Sequence, residues 1–163
     1  MPGQHFTNDN KAMTKKLEEE IQSVNFRTAR HKATLNIIFT ANWIHTRHLA
    51  IFKKYNLTGQ QFNVLRILRG QYPNPSTVLS IRERMLDKMS DVSRIIERLR
   101  IGGYIERVLC TNDRRAVDVS ITKKGLDLLK KMDKEDKTME LILGNLTEAE
   151  ANKLSDLLDK IRD

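Results

Sequence analysis

The hydrophobic period of this chain changes at Gly102-Gly103, and that change constrains the fold more than any other feature. Before the glycines, Val92, Ile95, Ile96 and Leu99 step i, i+3, i+4, i+7, the spacing of one helical face. After them Val117, Val119 and Ile121 alternate with Asp118 and Ser120, the period of a half-buried strand, and Ile105 to Thr111 can supply the strand opposite. The polar tip Asn112-Asp113-Arg114-Arg115 joins the two. A charged hairpin thus follows a helix that is itself preceded by a short helix and a tight turn. That is the order of a winged helix-turn-helix.

The flanking segments read as helix. Residues 1 to about 12 have no period and read as frayed. From Thr14 to Tyr55 there is neither Pro nor Gly, which predicts one long helix with a bend near Asn25 to Thr28. Leu35, Ile38, Phe39, Leu49 and Phe52 form one apolar stripe on it, and Ile37, Ile44 and Ile51 with Trp43 a second. A helix apolar on two sides must be covered on two sides. Thr58-Gly-Gln-Gln61 is a capping box opening a helix with Phe62, Leu65 and Leu68 inside, closed by Gly70. Pro73-Asn-Pro75 then excludes regular structure. Ser80-Ile-Arg-Glu83 reads as a second box that starts a short helix, and Ser90 as the cap of the next. Thr122 caps a helix carrying Leu126, Leu129 and Met132, and Thr147-Glu-Ala-Glu150 caps the last one, with Leu154, Leu157, Leu158 and Ile161 as its stripe. The expected fold is mainly α with a small β-hairpin wing. Its parts are a tail and dimerisation helix (1–55), a winged helix-turn-helix (56–123) and C-terminal dimerisation helices (124–163), forming one unit.

Charge narrows the function. Lys and Arg number 29 against 21 Asp and Glu, a net +8 that favours a polyanionic partner such as nucleic acid. The basic excess avoids the end of the chain, where residues 140–163 carry six acids and three bases, so that segment is expected to pack against a partner chain. At 163 residues there is no room for two catalytic domains. One cysteine, Cys110, excludes an intramolecular disulfide and any cysteine zinc cluster, which points to a reducing, cytoplasmic setting. No leader or spanning segment is read: the most apolar stretch, Leu35 to Ile44, is broken by Asn36, Thr40 and Asn42. No catalytic motif, cofactor loop or metal motif is present, so neither an enzyme nor a cofactor is expected. His31, His45 and His48 have helical spacing but no carboxylate cluster beside them, Cys110 reads as a small strand residue, and Glu18-Glu-Glu20 as a solvated run.

On a helical wheel Ser90, Ser93, Arg94 and Glu97 oppose the apolar arc, with Arg98 at its border. Such a face fits the major groove, where Arg bonds guanine in bidentate fashion and Ser or Glu selects among the other edges. Asp91, Ser93 and Arg94 lie near the amino end, where recognition helices touch bases. Arg114 and Arg115 at a ribbon apex suit the narrow, negative minor groove, with Asp113 expected to pair with one of them and orient it. The outer helices expose more apolar stripe than one small winged domain can cover, so a second copy is the simplest lid. The competing class is a winged-helix module that engages protein and not DNA.

Leu57-Thr58 with Gln61-Phe62, the run Ser90-Asp-Val-Ser-Arg-Ile-Ile-Glu-Arg-Leu99, Gly103-Tyr-Ile-Glu-Arg107, and Asp113-Arg-Arg115 leading to Ile121-Thr122 and Gly125 carry a further signal. They resemble the MarR family of bacterial winged-helix transcriptional regulators, over about residues 30–163. The resemblance implies a homodimer held by its terminal helices on a pseudo-palindromic operator. Two recognition helices would enter successive major grooves, with Arg115 in each flanking minor groove. It also implies a small, often aromatic or anionic effector between the dimerisation helices and the winged domain, for which Phe39 and Trp43 would form a wall. Repression is the expected sign, because blocking polymerase needs only occupancy.

Overall fold

Among the described residues six helices begin at a Thr or Asp whose side chain accepts the N–H three residues further on: Thr28, Thr58, Thr77, Asp91, Thr122 and Thr147. Each cap satisfies one of the amide groups that a helix start leaves without a partner. The computed structural model describes residues 15–23, 25–109 and 117–163. The chain divides into two compact units, Met1–Trp43 and Ile44–Asp163.

In the first unit a single turn, α1 (Leu17–Glu20), precedes α2 (Ala29–Lys53), which continues into the second unit. The one long helix expected from Thr14 is therefore interrupted, with residues 21–23 and 25–28 non-helical, and not merely bent. Gln22 has a φ of 51°, and the Thr28 hydroxyl accepts the His31 N–H at 3.1 Å, so the second helix is started by a side chain that competes with continuation of the first. The Glu18 carboxylate pairs with Lys32, and Phe26 meets His31 edge-on at 6.3 Å between ring centroids.

The second unit follows with α3 (Gly59–Gln71), β1 (Ser76–Thr77), α4 (Val78–Arg84), α5 (Val92–Ile101), β2 (Ile105–Leu109), β3 (Val117–Ile121), α6 (Lys123–Met132), α7 (Asp136–Glu140) and α8 (Glu148–Ile161). The boxes at Thr58 and Thr147 are both closed reciprocally, as their spacing predicts. Two expected caps are displaced. Thr77, not Ser80, starts α4, which leaves Ser80 and Glu83 inside the helix, and Asp91, not Ser90, starts α5. Nor does the proline pair exclude all order: Ser76 and Thr77, just after it, form a third strand, and α3 runs one residue past Gly70. The sheet order is β1-β3-β2, antiparallel, with Ser76 opposite Val119, Arg107 opposite Val119 from the other side, and Ile105 opposite Ile121.

One core joins these elements. Val64, Leu65 and Leu68 of α3, Ile81 of α4, Val92, Ile96 and Leu99 of α5, Val119 of β3, and Leu129 and Met132 of α6 are all buried. The helical arc read on α5 is the face that packs. The end of α5 is clamped to the base of the wing and to α6. Thr122 donates its N–H to the Tyr104 carbonyl at 3.0 Å and its hydroxyl to the Gly103 carbonyl at 2.8 Å, while the Lys124 ammonium bonds the Gly102 carbonyl at 2.7 Å. Gly103 has a φ of 73°, a left-handed turn that favours glycine.

Candidate nucleic-acid interface

With one face of α5 in the core, the other is presented outward. Ser93, Arg94, Arg98 and Arg100 are exposed there, and neither Arg94 nor Arg98 forms an ion pair with any described residue. The turn before α5 is fixed by Asp87. Its carboxylate accepts the Met89 N–H at 3.0 Å and the Ser90 hydroxyl at 2.8 Å. The Ser90 bond first, then the Met89 bond and a Gln60 bond, hold the Asp87 carboxyl below its ordinary value. Asn63 of α3 accepts the Leu86 N–H at 2.9 Å, tying the same turn to the core helix. Ser90 is thus a turn residue, and the Asp91 carboxylate is engaged as a cap.

Glu97, expected on the reading face, is not a free carboxylate. It accepts two bonds from Arg100, at 3.0 and 2.7 Å, and lies 3.3 Å from the Arg107 guanidinium of β2. Hydrogen bonding from Arg100 is the largest effect and, joined by the charges of Arg100 and Arg107, holds its carboxyl below the ordinary range against the opposing effect of desolvation. Spacing alone gives Arg100 no role and names Arg107 only as the end of the Gly103-Tyr-Ile-Glu-Arg107 run; the contact of Arg107 with Glu97, across the fold, gives both their place. The wing tip with Asp113, Arg114 and Arg115, and Cys110 beside it, lies outside the described residues.

The C-terminal helix presents its stripe to the outside: Leu154 is 40% exposed, Leu157 53% and Ile161 65%, Leu158 is half-buried, and α8 buries no residue fully. A cavity of about 430 Å³ opens between the end of α2, α3, the turn before α5, and α7. His45, His48, Phe52, Phe62, Arg66 and Asp87 are among its walls. The Arg66 guanidinium sits 5.9 Å from the Phe62 ring centre and 3.7 Å from the Asp136 carboxylate. Partial burial, then neighbouring His45, hold the His48 imidazole below its ordinary value. Phe39 is half-buried and Trp43 partly exposed; both precede His45, the first residue of this cavity in the sequence. Among the described residues no group of three or more His, Cys, Asp or Glu is placed to hold a metal, and no helix is long and apolar enough to cross a membrane.

This architecture, a two-faced helix after a turn and before a three-stranded wing, is that of winged-helix regulators. A MarR transcription factor from Planctomyces limnophilus is 31% identical, with 83% of this chain and 98% of that one covered at a TM-score of 0.64. The chain belongs to the MarR family of transcription regulators. BpsR of Bordetella bronchiseptica, whose DNA binding is regulated by 6-hydroxynicotinic acid, is 27% identical over 78% of this chain and 99% of that one, at a TM-score of 0.63. The transcriptional repressor IacR of Pseudomonas putida is 27% identical over 114 residues, 68% of this chain and 66% of IacR. No family model matches the chain. The membership favours a regulator over the protein-binding module that the sequence left open.

Proposed function

We propose that the chain is a cytoplasmic, homodimeric repressor that binds a pseudo-palindromic operator in duplex DNA, releases it in response to a small molecule, and catalyses nothing. The observation that carries this reading is the exposed face of α5, where Arg94 and Arg98 form no ion pair with any described residue, opposite a face buried in the core. Residues 56–123 form the reading head, with Ser93, Arg94 and Arg98 at base edges and Ser90 and Asp91 beside the backbone at the amino end. Asp113, Arg114 and Arg115 belong in the minor groove. Residues 1–55 and 124–163 hold the two copies together, through Leu154, Leu157, Leu158 and Ile161 among others.

The effector is assigned to the cavity bounded by Phe52, Phe62, Arg66 and the two histidines. Aromatic walls beside a guanidinium suit a flat anion. Such a ligand shifts binding only if it prefers one arrangement of the reading heads over the other. Contact between the cavity and Asp87 brings it to the turn that sets the start of α5. Arg94→Ala tests the reading head. It is expected to weaken binding to a duplex selected from genomic fragments by about 1–3 kcal/mol and to relax the preference at one base position. Full affinity with unchanged preference in a fluorescence titration would remove α5 from the major groove.

A further inference from the structure

Glu97 is the one acid that points from the middle of α5 toward the surface proposed to meet DNA. A free carboxylate there would be repelled by phosphates, and as a base reader it would need to leave its arginines. Its two oxygens instead bridge Arg100, one turn further along the same helix, and Arg107, on the first strand of the wing. The three side chains together carry a net charge of +1. Arg100 and Arg107 are exposed, with about half of each side chain open to solvent, and Glu97 is partly exposed.

We infer that Glu97 is a positioning residue that braces the recognition helix to the wing and aims Arg100 and Arg107 at backbone phosphates, and that it reads no base. The inference rests on α5 being the recognition helix. A planar guanidinium bonded on one edge to a carboxylate keeps its other edge free for a phosphate oxygen, in a fixed orientation. Fixing two long side chains before binding removes an ordering cost that each would otherwise carry on association. The bridge from α5 to β2 also sets the angle between helix and wing, so that one element in its groove places the other.

The test uses the full-length protein and the duplex that the wild type selects from genomic fragments, with affinity measured across a salt series. Arg100→Ala and Arg107→Ala are each expected to reduce the slope of log affinity against log salt by about 0.9, the effect of one lost phosphate contact, with base preference unchanged. Glu97→Gln is expected to weaken binding about threefold for every duplex, although it removes a negative charge from a surface facing a polyanion. In the Arg100→Ala, Arg107→Ala background the same change should have no such effect. Unchanged slopes in both arginine variants would overturn the phosphate assignment. A switched base preference in Glu97→Gln would make Glu97 a reader, and a uniform gain in affinity would make it a bystander charge. Thermal unfolding of each variant identifies any loss that comes from folding. If the wild type selects no duplex at all, the recognition-helix reading falls first and this inference with it. Wild-type selection with unaltered slopes removes the inference alone.

Discussion

Ending the chain after Leu146 is expected to convert the protein to a monomer and to reduce operator affinity by at least about a hundredfold, a loss of roughly 2.7 kcal/mol. The reason lies in α8. It has fourteen residues, a closed capping box and an apolar stripe, yet none of its side chains is fully buried. An isolated helix of that length is marginal in water, so its stability must come from packing on another surface. Leu141, 73% exposed, and Leu143, 43% exposed, extend the apolar surface just before it. A second copy related by a twofold axis would cover these stripes and set two reading heads roughly 34–36 Å apart. Without it each head binds one half-site alone, and the high effective concentration that tethering gives the second head is lost. Leu157→Asp with Ile161→Asp keeps the helix and its cap while placing charges on the same face, and is expected to have the same consequence. Sedimentation velocity and duplex titration check both variants. A stable dimer after truncation would assign the interface elsewhere.

The parts of this fold that could be read from sequence are those whose information is local. The capping boxes at Thr58 and Thr147 need only residues three apart, and the buried arc of α5 follows from spacing within ten residues. What escaped depends on partners distant along the chain. Ser76-Thr77 becomes a strand because β3 offers an edge, and two residues carry no period of their own. Ser90 and Asp91 are both good caps. The choice between them is made by Asp87, which engages the Ser90 hydroxyl and leaves Asp91 to start the helix. Glu97 sits on the outward arc as the wheel requires, but its pairing with Arg107 joins a helix to a strand and has no signature in spacing. The cavity beside the two histidines shows the same limit. It is closed by Phe62 and Arg66 of α3 and by α7, elements that only the fold brings near His45 and His48.

The same chemical change at two glycines is expected to have opposite effects on stability. Gly125, the second residue after the Lys123 start of α6, lies where the helix meets the beginning of the wing. A Cβ there would fall 2.4 Å from the Tyr104 carbonyl oxygen and 2.7 Å from Ile121 Cγ1. The first of these is backbone, held by the Thr122 N–H, and cannot swing aside as a side-chain end would. Gly125→Ala is therefore expected to cost about 3 kcal/mol, the upper end of what overpacking exacts. At this chain length that lowers the melting temperature by roughly 6–12 °C. Gly70, near the end of α3, has nothing within 4 Å of its would-be Cβ and no left-handed backbone. Gly70→Ala removes freedom from the unfolded chain and suits a helix better, so it is expected to stabilise by about 0.5–1 kcal/mol. Thermal unfolding followed by circular dichroism measures both. Equal and small shifts would mean that the Tyr104 carbonyl is free to move, and that the junction fixing the end of α5 to the wing is looser than its three hydrogen bonds to Gly102, Gly103 and Tyr104 indicate. A large loss at Gly125 alone would instead establish that junction as a rigid seat between the end of α5, the base of the hairpin and α6.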